Sequence, residues 1–219
     1  MSPSPDAIAA DLLPRLMTLA AKGRQLVALA GPPGSGKSTI AEALHRAINA
    51  HTPATSAILP MDGFHYDDAV LRERGALSRK GAPHTFDVGG FRALLARLRA
   101  NAEAEIAVPV FDRRLEISRA GARIIPQTTP LIIVEGNYLL LDSPPWTELA
   151  GQFDLTIALD VPMPVLRQRL IGRWLDHGMT LTEAEAKALG NDLPNAETVQ
   201  AHGRAADITL TMGGEGEGD

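Results

Sequence analysis

The run LVALAGPPGSGKSTIAEAL, Leu26 to Leu44, restricts this chain to very few architectures. An apolar segment, a glycine-rich turn and an amphipathic segment follow one another. Gly31, Gly36, Lys37 and Ser38 fill every fixed position of G-x-x-x-x-G-K-[ST], in the strand-then-helix setting that the motif requires. The spacing has a physical reason. Glycines let consecutive backbone N–H groups turn inward around a phosphate, and a helix starting near Lys37 adds its positive N-terminal end. The loop Gly31, Pro32, Pro33, Gly34, Ser35 and Gly36 is therefore read as a polyphosphate cradle. In it Lys37 reaches the β- and γ-phosphates, Ser38 holds Mg²⁺ through its hydroxyl, and Thr39 touches a phosphate farther from the reacting end.

Around that loop, apolar runs alternate with helical ones. A helix is expected from about Asp6 to Ala21, interrupted or begun anew near Pro14, before a strand at Leu26–Ala30. A helix to about Ala50 leads to a second strand at Thr55–Pro60, with Asp62 just past its carboxyl end, where open α/β sheets place ligands. Residues 65–83 are polar and form a candidate substrate wall. Asp87 can cap a helix bearing Phe91, Leu94, Leu95 and Leu98, and EIAVPVF and ARIIP read as a hairpin. LIIVEGNYLLL is a buried strand ended by Glu135 and Gly136; FDLTIALD, a helix at Val165–His177 and a strand in ADITLTM follow. This alternation predicts an α/β fold of the P-loop NTPase type, a doubly wound, mainly parallel sheet with flanking helices. One domain is expected over residues 1–212, with a helical lid at about 165–195, and GGEGEGD at the end is low-complexity and expected to be disordered.

Composition narrows the partners. With 219 residues, 45% of them hydrophobic, the chain can bury one sizeable core. A net charge of −5 and no long Lys/Arg run argue against nucleic acid. There is no cysteine for disulfides or thiolate zinc, no signal-peptide pattern at the start and no long apolar run, so the expectation is a cytoplasmic protein away from membranes. A homodimer is left open.

Three groups carry the chemistry. Glu135, delivered by Leu131–Val134, suits a carboxylate in the Mg²⁺ shell, acting mostly through a water because Mg²⁺ keeps several. Asp62 is either a turn residue in an Asp-Gly pair or the base that takes a proton from an acceptor hydroxyl. The second reading rests on the second strand lying next to the phosphate-loop strand. Arg169, Arg173 and His177 share one helical face before Gly178, as a lid closing over the nucleotide would require; the alternative is a solvated cationic face.

GPPGSGKST, PMDGFHYDD, FDVGGF, VPVFDRR, IIVEGNYLLL, RLIGRW and NDLPNAETV occur in an order that resembles the P-loop kinases that include uridine kinase, phosphoribulokinase and bacterial pantothenate kinase. Within that superfamily the likeness is to bacterial nucleoside/nucleotide kinase-like proteins described as fructose transport system kinases, and it spans about Leu26 to Leu210. The resemblance implies an ATP- and Mg²⁺-dependent phosphotransferase acting on a small-molecule hydroxyl, a sugar or related metabolite, with nucleoside or pantothenate as the alternative acceptors. It also implies Asp62 as base, Glu135 as metal-side carboxylate and Arg169 and Arg173 as lid arginines, with His65, Tyr66, Phe111 and Asp112 forming the acceptor pocket.

Two departures stand out. Where pyrimidine-nucleoside kinases resemble YDxxTHSR, this chain reads FDRRLEIS, which puts Glu116 in the place of a histidine and Arg113 in the place of an apolar residue. Arg113 and Arg114 either bind an anionic acceptor or are solvated, and Asn191 and Asn195 approach nucleotide or acceptor. A GTPase switch would need N-K-x-D late in the chain, and an AAA+ motor would need paired acids after the buried strand and a further helical domain. Neither pattern is present. A P-loop ATPase or regulatory nucleotide-binding protein without a small-molecule acceptor is the remaining alternative.

Overall fold

The computed structural model describes residues 3–213, so GGEGEGD apart from its first glycine lies outside the described residues. Helix α1, Pro5–Ala20, is capped by Ser4, whose hydroxyl accepts from the Ala7 N–H. It runs through Pro14 without the expected interruption. Ala10, whose carbonyl loses a donor there, lies on the exposed side, and the Thr18 hydroxyl donates to the Pro14 carbonyl at 2.9 Å.

Strand β1, Gln25–Ala30, feeds the phosphate loop, and helix α2, Lys37–His51, leaves it. β2, Ser56–Pro60, is followed by a 3₁₀ turn at Met61–Phe64, the short helix α3 at Asp68–Glu73, and α4 at Val88–Ala100, whose N-terminus is capped by Asp87 as expected. β3, Glu105–Asp112, and β4, Ile117–Pro126, form the hairpin; β5 is Leu131–Gly136 and β6 is Leu155–Asp160. Helix α5 covers Met163–Asp176. Beyond it lie α6 at Leu181–Lys187, a π turn at Ala188–Asp192, α7 at Leu193–His202 and a last strand, β7, at Ile208–Thr211.

The main sheet is parallel throughout, in the order β2-β5-β1-β6-β7, with β3 and β4 as a separate antiparallel pair. Its strands alternate between two cores. Val27 and Leu29 of β1, with Leu131 and Ile133 of β5, face α1, α2 and α5. Leu26, Ala28, Ile132 and Val134 face α4, the hairpin, Tyr138 and Trp146. Burial on both faces explains why β5 reads as an unbroken apolar run, and fully burying each Leu or Ile contributes about 1.5–3 kcal/mol.

One expectation fails. β2 does not neighbour β1, because β5 lies between them, pairing Leu29 with Glu135 on one side and Glu135 with Pro60 on the other. Both candidate neighbours are short apolar strands, so burial alone does not choose between them. The consequence is that Asp62, two residues past Pro60, stands beside the end of β5 and not directly beside the phosphate loop. Two close approaches hold it there: a Cβ on Gly136 would meet the Met61 Cβ at 2.5 Å, and one on Gly63 would meet the Pro109 carbonyl oxygen at 2.6 Å.

Candidate active site

The phosphate loop curls because Gly34 and Gly36 adopt φ of +79° and +89°. Gly36 is also the residue before α2 and supplies no side-chain cap, so the first N–H groups of that helix are left open to an anion. This is the cradle a polyphosphate needs. Lys37 donates to the Pro32 carbonyl at 3.4 Å; burial pulls its ammonium below the usual lysine value, while the charges of Glu135 and Asp62 push it back up.

Glu135 is only 7% exposed, and its Oε2 accepts from the Ser38 hydroxyl at 3.1 Å. Burial pushes its carboxyl up from the ordinary value, partly offset by the Lys37 ammonium. A hydroxyl and a carboxylate at this separation are hard oxygen donors that fit Mg²⁺. Asp62 meets the Arg113 guanidinium of the hairpin turn at 2.6 Å. His65 is wedged between Phe86 and Phe111, with ring centroids 4.1 and 4.7 Å away. Its Nδ1 lies 2.8 Å from the Asp62 carbonyl, which can only accept, so Nδ1 carries the proton; burial holds the ring below the usual histidine value.

These groups line one cleft of about 1110 Å³ between the loop, the hairpin turn, the 77–81 segment and the helices α5 to α7. At the hairpin end, Lys80 donates to Asp68 at 2.7 Å and to the Glu116 carbonyl at 2.6 Å, with the Glu116 carboxylate 3.7 Å away. Between the π turn and α5, Asp192 accepts from Arg173 at 2.9 Å and from the Trp174 indole at 2.6 Å. The π turn places Asn191 so that it donates to the Lys80 carbonyl at 2.8 Å, and α7 places Asn195 so that it accepts from Arg79 at 3.4 Å. The segment from α5 to α7 is thus tied to the far wall.

Lys37, Ser38, Thr39, Asp62, His65, Phe111, Arg113, Glu135, Arg173 and His177 all line the cleft, as do Asn191 and Asn195. Tyr66 and Asp112 are not on its wall. Tyr66 lies under the Arg74 guanidinium, and Asp112 is spent on the hairpin turn, accepting from the Arg114 and Leu115 N–H groups and from Arg119. Arg169 reaches the Gly34 and Ser35 carbonyls, at 3.4 and 3.5 Å, and so supports the loop from beside the cleft. Arg114 is exposed and off the wall. Asp68 and Lys80, from the polar 65–83 segment read as a substrate wall, line the cleft as well. Asn137, Trp174 and Asp192 also line it and were not foreseen; the Trp174–Asp192 pair forms only when helix α5 and the π turn pack together. Among the described residues no cluster of His, Asp and Glu could hold a metal by itself, and no helix is long and apolar enough to cross a membrane.

The family model described as phosphoribulokinase/uridine kinase matches residues 26–187. A solved structure from Silicibacter sp. TM1040, provisionally described as a fructose transport system kinase, is 44% identical and superimposes with a TM-score of 0.85 over 95% of this chain and 99% of that one. YggC of Escherichia coli is 39% identical over 94% of this chain and 85% of its own length. A Schizosaccharomyces pombe protein provisionally described as a uridine kinase is 34% identical over 85% of this chain and 83% of its own length.

Proposed function

The chain belongs to the phosphoribulokinase/uridine kinase family and is an ATP-dependent kinase of small-molecule hydroxyl groups, and we propose that its acceptor is a sugar or a related metabolite. One observation carries the choice: at the acceptor end of the cleft both cations are already neutralised, Arg113 by Asp62 and Lys80 by Asp68 and Glu116. A neutral polyhydroxyl compound suits such a wall better than an anion such as pantothenate. The hairpin residues Arg113 and Glu116 also weigh against a pyrimidine site. The description of the Silicibacter relative supports the same reading.

In this reading the loop from Gly31 to Gly36 wraps the phosphates with its N–H groups, Thr39 adds a hydroxyl, and Lys37 lays its charge on the β- and γ-phosphates. Ser38 and Glu135 would hold Mg²⁺, which would supply charge neutralisation on the transferring group when bound. Asp62 accepts the proton of the acceptor hydroxyl, and His65 and Phe111 shape the pocket beside it. Arg173 closes over the reacting end and excludes water, while Arg169 holds the loop in shape. The test is a panel of sugars, polyols, nucleosides and pantothenate incubated with ATP and Mg²⁺. Phosphorylation of a sugar or polyol is expected. Transfer to a nucleoside or pantothenate alone would replace the acceptor, and ATP turnover equal with and without every compound would mean that no acceptor is used.

A further inference from the structure

Asp62 is not free. Its carboxylate is 22% exposed and bonded at 2.6 Å to Arg113, whose own side chain is 66% exposed and has its guanidinium carbon 6.0 Å from the centroid of the Phe111 ring. Arg113 comes from the turn between β3 and β4, 51 residues along the chain, and nothing in hairpin pairing needs it to reach the cleft. The same turn is held down a second time. Glu116 takes a left-handed φ of +55°, a conformation that costs a non-glycine residue, and its carbonyl accepts from Lys80 at 2.6 Å. A strained turn anchored by Lys80 therefore delivers one guanidinium onto one carboxylate.

A kinase whose base faces a cleft of about 1110 Å³ has a hazard: water fits wherever an acceptor hydroxyl fits. In that side reaction a water oxygen bonds to the γ-phosphorus and the bond from phosphorus to the β,γ-bridging oxygen breaks. ADP leaves, and the water proton passes to Asp62 and then to solvent. We infer that Arg113 is a guard on Asp62, occupying the carboxylate while the acceptor site is empty, so that only an acceptor able to displace the guanidinium finds a base. This rests on Asp62 being the base. The guard is suited to displacement, because its arginine is largely exposed and can swing into solvent, and an ion pair with one solvated partner holds weakly.

The test needs no knowledge of the acceptor. ADP release from ATP and Mg²⁺ is followed without added acceptor for wild type, Arg113→Gln, Arg113→Lys, Arg114→Gln, Asp62→Asn and the Asp62→Asn/Arg113→Gln double variant, with ATP affinity by calorimetry to show that each is folded. Arg113→Gln should raise hydrolysis about fivefold, the population factor that a weak exposed pair supports. Arg113→Lys should restore most of the suppression, Arg114→Gln should match wild type, and the double variant should lose the excess. Wild-type hydrolysis in Arg113→Gln overturns the guard, as does excess hydrolysis that survives in the double variant. Failure of the base itself reads differently: Asp62→Asn would then phosphorylate the best compound of the acceptor panel at the wild-type rate.

Discussion

Ser38 and Glu135, 97 residues apart in the chain, meet at 3.1 Å because β5, which carries Glu135 next to its end, lies directly beside the strand that feeds the phosphate loop. Burial pushes the Glu135 carboxyl above its ordinary 4.5. A carboxyl raised in the folded state keeps its proton longer there than in the unfolded chain, so stability falls as pH rises from 4.5 through the folded value. In EDTA and without nucleotide, Glu135→Gln should therefore melt a few degrees above wild type at neutral pH, with a gap that narrows towards pH 4.5. Activity should fall, and more Mg²⁺ should be needed to restore it. A gap that does not change with pH would show that Glu135 titrates normally.

Lys37→Ala should abolish phosphoryl transfer and leave the fold intact. The ammonium is held off its usual value by burial and has a single weak protein hydrogen bond, to the Pro32 carbonyl at 3.4 Å, so it serves a ligand more than the core. Removing it relieves one desolvated charge but also takes away a cation that offsets the burial of Glu135, so the two effects on stability oppose each other. Near-normal turnover, or a clear drop in Tm without ATP, would each contradict this.

The fold was legible where local chemistry decides it. The phosphate loop, the unbroken run Leu131–Val134 and the Asp87 cap each announce an element without help from distant residues. What was not legible depends on which element sits beside which. β2 and β5 are both short and apolar, so the insertion of β5 next to β1 is settled only when the whole sheet packs, and it relocates Asp62. The same holds for Asp192: an acid before a Leu-Pro pair carries no sign that a π turn will aim it at Arg173 and Trp174. Tyr66 and Asp112 show the opposite situation: their motif position points to the pocket, while in the fold Tyr66 packs under the Arg74 guanidinium and Asp112 accepts from the hairpin turn.

Gly136→Ala should act on catalysis through packing. A Cβ there would stand 2.5 Å from the Met61 Cβ, next to Asp62, in a core with no spare room. The expected cost is about 1–3 kcal/mol of stability, with an activity loss larger than the unfolded fraction explains, because the turn carrying Asp62 must move. Thermal melting together with turnover well below Tm separates the two effects; full specific activity would show that the turn can yield without moving Asp62.

Arg173 and Arg169 should differ from one another. Arg173 lines the cleft and is oriented by the buried Asp192, so Arg173→Ala should lower kcat more than it raises the KM for ATP, and Asp192→Asn should do the same in milder form. Arg169 braces the Gly34 and Ser35 carbonyls, so Arg169→Ala should raise the KM for ATP as well. Steady-state kinetics decides; an unchanged kcat in Arg173→Ala would return that residue to a solvated face.

Asp62→Asn should separate acceptor chemistry from nucleotide binding. Asn keeps the shape and one acceptor oxygen for Arg113 but cannot take a proton, and general-base catalysis typically contributes about 10²- to 10⁴-fold. Phosphoryl transition states are loose and the proton leaves late, which places the expected loss towards the lower end of that range. The affinity for ATP should barely change, since the loop, Ser38 and Glu135 lie on other elements and are untouched. The substitution does remove a negative charge that holds the Lys37 ammonium up, so a small change in the pH dependence of binding at the alkaline side is expected as well. Single-turnover acceptor phosphorylation measured beside calorimetric ATP binding tests the contrast. Transfer at the wild-type rate would leave Asp62 a turn residue, and a parallel loss of binding and transfer would make it part of the nucleotide site.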